Sequence, residues 1–246
     1  MGTVTIDPQA PARGTASDTA LDNPVWHSLV GPHAHLAEGA DVGAGLARRY
    51  RSDISVFGAL ADPQDPQAWA DLAALVGPGG EVLITGDDVP APAGWSVGGG
   101  TGVQMLATDR VEADLDPELV VLGSADVDDM VDLVSRTKPG PFRSGTPLMG
   151  TYLGLRREGR LIALAGERMH PEGWTEISAV ATDPDHRRQG LAARLVRSVV
   201  AGVRARGERA FLHAASENLG AIRVYRALGF EERRVMTFRG VRAPQG

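Results

Sequence analysis

The chain has 246 residues, of which 43% are hydrophobic and 23% are charged, and its formal net charge is −6. This composition is ordinary for a globular protein, and no apolar run approaches the roughly 20 residues that a membrane helix needs, so we expect no membrane partner. Because the chain has no cysteine, disulfides, thiolate nucleophiles and cysteine-ligated metal sites are excluded.

The N-terminal half predicts a flexible tail followed by a small α/β domain. Residues 1–22 are rich in Pro, Ala, Thr, Gly and Asp without periodicity, and they lack the apolar core of a signal peptide. We therefore expect a tail and a cytoplasmic location. Apolar spacing from residue 23 predicts a domain over 23–115, with a strand at 53–60, a helix at 65–77, and strands at 81–86 and 101–109.

The C-terminal half predicts a second domain over residues 116–246. Its pattern gives the order β-α-β-β-β-α-β-α-β-β, which indicates an α/β (α+β) fold with a mixed central sheet flanked by helices. The predicted elements are a strand at 119–123, a helix at 125–137, strands at 151–157, 160–169 and 174–182, a helix at 190–207, a strand at 210–215, a helix at 218–229 and a final strand pair around 235–241.

Charge is distributed unevenly between the two halves. Residues 187–246 hold 13 arginines against four acidic residues, a net charge of +9, whereas residues 1–186 carry −15. A basic C-terminal part suggests an anionic partner. The acidic first part suggests in turn a cationic second partner, such as a polyamine, an aminoglycoside or a peptide N-terminus.

A basic corner stands between a strand and a helix in "VATDPDHRRQGLAARLV", residues 180–196. The first amides of a helix have no intrahelical partner and lie at the positive end of its dipole, so they suit a phosphate. Gly190 permits close approach of a ligand to the backbone, and Arg187 and Arg188 add charged donors. The corner is typical of an anion site.

The spacing of this corner resembles a family motif. Arg187-x-x-Gly190-x-Ala192 is similar to the R/Q-x-x-G-x-G/A motif of the GNAT superfamily of N-acetyltransferases. Farther along the chain, "NLGAIRVYRALGF" at 218–230 is similar to that superfamily's N-x-x-A-x-x-x-Y-x-x-x-G-F pattern. The resemblance implies the GNAT fold, with a mixed, mostly antiparallel central sheet, for residues 116–246. It also implies transfer of an acetyl group from acetyl-CoA, or of the acyl group of another acyl-CoA, to a small amine or a peptide amine by direct attack in a ternary complex. The alternative is a non-catalytic acyl-CoA sensor or docking module.

The resemblance also implies roles for individual residues. The hydroxyl of Tyr225 would lie near the thioester sulfur, where a phenol can donate a proton to the departing thiolate. Asn218 would lie near the pantetheine arm. The implied coenzyme A contacts are main-chain groups of Val180, Ala181 and Thr182, the side chain of Arg187, and amides of Arg188, Gln189, Gly190, Leu191, Ala192 and Ala193.

Two residues compete for the role of general base. Glu176 lies eleven residues before Arg187, the register of the catalytic glutamate in the histone-acetylating branch of the superfamily. His213 lies five residues before Asn218, where the ribosomal-protein acetyltransferases place a glutamate, and a histidine can accept a proton near neutral pH. An enzyme without a dedicated base is the third alternative.

Other patterns carry weaker implications. The glycine run at 97–102 lacks the third glycine of a dinucleotide loop and predicts a turn. His27, His33 and His35 lack the spacing of a metal site, so we expect no metal, and no nucleic-acid motif accompanies the arginines. We also expect the N-terminal domain to be a degenerate GNAT-like half that shapes the acceptor pocket. A homodimer is compatible with the sequence.

Overall fold

The computed structural model describes residues 18–86 and 90–245. Its strands are β1 Ala37–Glu38, β2 Ala47–Tyr50, β3 Gly58–Leu60, β4 Glu81–Gly86, β5 Ser96–Ala107, β6 Val120–Leu122, β7 Tyr152–Arg157, β8 Arg160–Glu167, β9 Trp174–Thr182, β10 Arg209–Ala215 and β11 Phe230–Arg242. Its α-helices are α1 Pro24–Leu29, α2 Pro66–Val76, α3 Val127–Thr137, α4 Leu191–Ala205 and α5 Leu219–Leu228.

A central sheet of eight strands organises the molecule, in the order β4-β11-β5-β10-β9-β8-β7-β6, beside a small sheet of β1, β2 and β3. Among the described neighbours in the large sheet, only β9 and β10 run parallel. This confirms the predicted α+β fold with a mixed, mostly antiparallel sheet.

The large sheet takes strands from both sides of the predicted domain boundary. β5 lies between β10 and β11, and β4 pairs with the other edge of β11. The division of the chain at residue 115 stays a prediction, but hydrogen bonds of one continuous sheet cross it. They join strands that precede residue 115 to the last two strands of the chain.

Two local predictions were wrong. The glycine run at 97–102 forms no turn; Gly98, Gly99 and Gly100 lie within β5 and pair with β11. The backbones of β5 and β11 approach closely there, since a Cβ on Gly99 would stand 1.9 Å from the carbonyl oxygen of Phe238. The final strand pair is one strand of 13 residues, because Gly240 stays extended and continues both ladders.

The two faces of the sheet are covered by different parts of the chain. Helices α4 and α5 pack on one face through Leu195, Val199 and Ile222, which belong to one buried cluster with the strands. The segment 18–60 covers part of the other face, where Val25, Tyr50 and Phe57 cluster with Trp174 and Phe211. The segment 18–60 therefore completes the hydrophobic core on this face of the central sheet.

The part of the predicted tail that the structure describes is packed. Residues Asp18–Asp22 form a short 3-10 helix, and Leu21 is fully buried because it joins the cluster beneath the sheet. Residues 1–17 lie outside the described residues. Within 18–86 and 90–245, every helix is too short or too polar to cross a bilayer.

A pair of histidines, buried His33 and partly buried His170, joins the N-terminal segment to the sheet. His33 Nδ1 lies 2.9 Å from the hydroxyl of Tyr50, and its ring centroid lies 4.8 Å from that of His170. Burial, reinforced by the neighbouring His170, lowers the pKa of His33 to about 3. His33 is therefore neutral in the folded protein and must gain a proton on unfolding below its ordinary pKa.

Lowering the pH from 7.5 to 5.5 should destabilise the protein partly through His33. An unfolded histidine titrates near 6.5 whereas the folded one does not, so the unfolded state binds more protons and stability falls by about 1.4 kcal/mol at pH 5.5. Calorimetric Tm values at the two pH values should differ less in His33→Gln than in the wild type. His35→Gln, which removes an exposed histidine two residues away, should keep the full difference; an unchanged difference in His33→Gln would contradict the assignment.

Candidate functional site

The site is built where two parallel strands separate. The ladder between β9 and β10 ends at the pair Ile177 and Leu212. Beyond it, β10 continues to pair with β5 through Ala215, while residues 178–182 of β9 keep only β8 as a neighbour. The backbone N–H and C=O groups of β9 that face β10 therefore have no strand partner and are available to hydrogen-bond a ligand.

A bulge in β9 bends the strand at this point. The register between β8 and β9 shifts between Leu164 and Gly166, opposite Ala179 and Val180. Ala179 has φ +53°, a left-handed conformation that costs a non-glycine residue roughly 1 kcal/mol or more and is held by its surroundings. The bulge turns the strand away from β10 and opens the gap.

The basic corner follows directly after this strand. A short 3-10 helix, Pro184–His186, leads to Arg187, and α4 begins after Gly190, which has φ +74° and provides no capping side chain. Arg188 also has a positive φ of +63°. The first amides of α4 are thus uncapped, and a helix start of this kind suits an anion.

A cleft of about 420 Å³ occupies the gap between the strands. It runs from the basic corner to the inside of the sheet. Its walls are Thr137, Lys138, Pro139, Gly140, Arg168, Ile177, Ser178, Ala179, Val180, Ala181, Thr182, Arg187, His213, Ala214, Ala215, Asn218, Ala221 and Tyr225.

Helix α5 contributes Asn218 and Tyr225 to the cleft. Asn218 caps the helix, because its Oδ1 accepts a hydrogen bond from the amide of Ala221 at 3.1 Å. Tyr225 is 8% exposed, and its ring packs edge-on against Phe230. Burial raises the pKa of Tyr225 to about 12, so the phenol stays protonated at neutral pH.

Glu176 is fully buried in a charged network at the inner end. Arg168 donates to both carboxylate oxygens, at 2.6 and 2.8 Å, and His213 Nδ1 lies 2.7 Å from Oε1. Burial by itself would raise the pKa of Glu176, but the charge and hydrogen bonds of Arg168, together with His213, lower it to about 2. Glu176 is thus charged at neutral pH and anchors its neighbours.

Gln104 of β5 fixes the other side of the His213 ring. Arg233 donates to its Oε1 at 2.8 Å, and its Nε2 donates to the carbonyl of Leu21 at 3.0 Å. This orientation leaves an amide hydrogen for His213 Nε2, 3.1 Å away. His213 therefore carries its proton on Nδ1, toward Glu176.

The structure gathers many of the predicted site residues but not all. Those on the cleft wall are Val180, Ala181, Thr182, Arg187, His213, Asn218 and Tyr225. Glu176 lies behind the wall, beneath Arg168 and His213. The residues of the loop and first turn of α4 lie beyond Arg187 and outside the wall: Arg188, Gln189, Gly190, Leu191, Ala192 and Ala193.

Sequence analysis missed Arg168 and Gln104. Arg168 ends a predicted strand, and its pairing with Glu176 depends on the β8–β9 hairpin, in which the Arg168 amide bonds the Glu176 carbonyl at 2.9 Å. The sequence signal for this ion pair was an arginine near the end of one predicted strand and a glutamate near the start of the next strand of the hairpin. Gln104 gave none, because it comes from a distant strand. Over the described ranges, no cluster of three or more His, Asp or Glu side chains could hold a metal ion.

The chain is similar to a protein family, to a solved structure and to two curated proteins. The FR47-like protein family matches residues 152–239. A solved structure from Novosphingobium aromaticivorans DSM 12444, named as an acetyltransferase from the GNAT family, has 41% sequence identity and a TM-score of 0.82. The match covers 93% of this chain and 100% of that one.

Among curated proteins, the mycothiol acetyltransferase of Saccharomonospora viridis is 33% identical over 91 residues, which are 33% of this chain and 30% of that protein. An uncharacterised N-acetyltransferase of Methanocaldococcus jannaschii is 39% identical over 62 residues, 25% of this chain and 27% of that protein. The chain thus spans less than a third of each of these two relatives.

Proposed function

Because the chain belongs to the GNAT family of acetyltransferases, we propose that it transfers an acetyl group from acetyl-CoA to a primary amine. The observation that carries the proposal is the separation of β9 from β10, which opens a cleft from the basic corner to the phenol of Tyr225. A long, bent thioester with phosphates at one end and its reactive carbon at the other fits such a cleft.

Each part of the cleft has a task in binding. The uncapped amides from Arg188 to Ala193 receive the diphosphate, with Arg187 as a charged donor. Main-chain groups of Val180 to Thr182 pair with the amides of the pantetheine arm as a strand would. The thioester then lies at the point where the two strands separate, near Ile177 and Tyr225.

The reaction needs a proton donor for the leaving thiolate. The amine nitrogen attacks the thioester carbonyl carbon, the carbon–sulfur bond breaks, and the sulfur takes a proton from the Tyr225 hydroxyl. Tyr225 suits this role because no described residue hydrogen-bonds its hydroxyl, while the raised pKa keeps it protonated. The proton lost by the amine restores the phenol through solvent.

The geometry favours His213 over Glu176 as the proton acceptor. Glu176 uses both oxygens on Arg168 and His213 and has a pKa of about 2, which makes it a weak base and a positioning residue. His213 keeps the lone pair on Nε2. The amide hydrogen of Gln104 that points to His213 Nε2 can turn instead to the sulfur of Met236, which lies 3.1 Å from Gln104 Nε2. The lone pair of His213 Nε2 is then free to accept the amine proton.

Thiol release from acetyl-CoA in the presence of a panel of amines tests the proposal. Turnover that depends on an amine, together with calorimetric binding of acetyl-CoA, is the expected result. Binding without turnover of any amine would favour the non-catalytic sensor. Absence of binding would contradict the assignment of the corner at Arg187 as the phosphate site of acetyl-CoA.

Gly190→Ala should weaken acetyl-CoA binding about tenfold or more. An alanine at φ +74° is strained by roughly 1–2 kcal/mol, so the loop relaxes and its amides leave the phosphate geometry. A Cβ at Gly190 would meet nothing within 4 Å, so crowding is not the cause. The Kd is measured by calorimetry.

Gly207→Ala is the matched control, because Gly207 has φ +76°, has equally open surroundings, and follows the far end of α4. It should lose similar stability and keep the wild-type Kd. Equal Kd values in the two variants would contradict the assignment of the loop.

A further inference from the structure

A second cavity, of about 590 Å³, lies between the segment 49–57 and the strands β4, β11 and β5. Its volume suits a small molecule. Much of its lining is apolar, from Val56, Phe57, Val82, Leu83, Val97 and Val241. Neither the two family motifs nor the cleft for acetyl-CoA accounts for it.

One layer of side chains separates this cavity from the inner end of the cleft. Phe57 lines the cavity, and the Arg168 guanidinium, which lines the cleft, stacks over its ring at 4.8 Å. Phe238 packs edge-on against both Phe57 and His213, with centroids 6.4 and 5.3 Å apart. A molecule in the cavity is thus one aromatic layer from the reacting groups.

The loop after α3 touches both spaces. Lys138, Pro139 and Gly140 line the cleft, whereas Arg143 lines the cavity. The end of this loop is fixed to the N-terminal segment, because the hydroxyl of Thr146 donates to the carbonyl of Ile54 at 2.7 Å. The loop therefore forms a continuous rim from one space to the other.

The cavity is basic although the first part of the chain is acidic. Its charged lining residues are Arg49, Arg143, Arg242 and Glu81, a surplus of two positive charges. Arg49 pairs with Glu38 and Arg242 pairs with Glu81. Within residues 18–86 and 90–245, the guanidinium of Arg143 has neither an ion pair nor a hydrogen bond, so it is free to bind an anion.

We propose that this cavity binds the acceptor, and that the acceptor is an amine carrying a carboxylate and an apolar side chain. Arg143 receives the carboxylate, the apolar walls hold the side chain, and the amino group faces Phe57. Because Phe57 stands between the cavity and the cleft, transfer requires its ring to turn aside so that the amine reaches the thioester. The inference rests on the proposed function. It replaces the polycationic acceptor suggested by overall charge, since the unpaired guanidinium of Arg143 would repel a polyamine.

Calorimetry on the complex with coenzyme A tests the binding without turnover. The probes are L-phenylalanine and L-leucine, each beside its C-terminal amide, which differs only by the carboxylate. We expect the acids to bind at least about tenfold more tightly than the amides. Arg143→Gln should remove that preference, whereas Arg110→Gln, an exposed arginine outside both spaces, should keep it.

Equal affinity for acids and amides, no binding of either acid, or an unchanged preference in Arg143→Gln would overturn the inference. Thiol release with the same four amines separates it from the proposed function. Turnover without preference for the acids contradicts the inference alone. Arg143-dependent binding of the acids without turnover of any amine supports the cavity and contradicts the proposed transfer.

Discussion

Tyr225→Phe should lower the rate of thiol release from acetyl-CoA by about 10²–10³-fold at saturating substrate. The substitution removes only the hydroxyl, and general acid catalysis contributes about this much to rates. Because the ring still packs on Phe230, the Kd of acetyl-CoA and the Tm should stay close to the wild type. The assay is thiol release under saturating amine, with the Kd from calorimetry.

Tyr152→Phe is the matched control for this variant. Its hydroxyl is also buried without a hydrogen-bond partner, but Tyr152 packs beneath α3 and does not line the cleft. The control should keep the full rate. A Tyr225→Phe protein as active as the control would show that the phenol is not the proton donor.

Arg168→Met should destabilise the protein by about 3–5 kcal/mol at pH 7. It leaves the carboxylate of Glu176 buried without its charged partner, which is among the costliest single changes in a protein core. For a chain of this size the loss corresponds to a fall in Tm of roughly 6–20 °C. Chemical denaturation and calorimetry measure both quantities.

The pH dependence of this loss has a defined sign. The lowered pKa of Glu176 stabilises the wild type above the ordinary glutamate pKa, and that contribution fades as the pH falls from about 4.5 toward 2. Without Arg168 the buried carboxyl is held protonated instead. The difference between wild type and variant should therefore shrink as the pH falls from 7 to 4.

A double variant isolates the ion pair from the packing of Arg168 on Phe57. Arg168→Met with Glu176→Leu replaces both charges by apolar groups and should recover much of the lost stability. Arg157→Met, at an exposed arginine, should change stability by less than about 0.5 kcal/mol. A double variant no more stable than the single one would contradict the role of the unpaired carboxylate.

The family and the proposed coenzyme-binding half of the site could be predicted from the sequence because their signals are local. Arg187 to Ala192 form a strand–loop–helix corner within a few residues, and the positions of Asn218 and Tyr225 follow from one helix. Such patterns depend on short-range backbone geometry. The comparisons confirmed the family, while the roles of the individual residues stay predictions.

The other half of the site depends on pairings that no local pattern encodes. Gln104 reaches His213 because β5 pairs with β10, a contact between residues 109 positions apart. Glu176 is a candidate base in the sequence because of its register before Arg187. Its complete burial beside Arg168 follows from strand packing and changes what the carboxylate can do.

The insertion of β5 between β10 and β11 also sets an order of events during synthesis. Both neighbours of β5 are made after residue 208, so this glycine-containing strand leaves the ribosome long before either partner exists. Pairings of such long sequence separation are slow, and an unpaired strand edge invites association with other chains. The sheet can close only when its last strand has been released, and a gene fragment beginning at residue 116 would encode the proposed acetyl-CoA loop on a sheet that lacks β4 and β5.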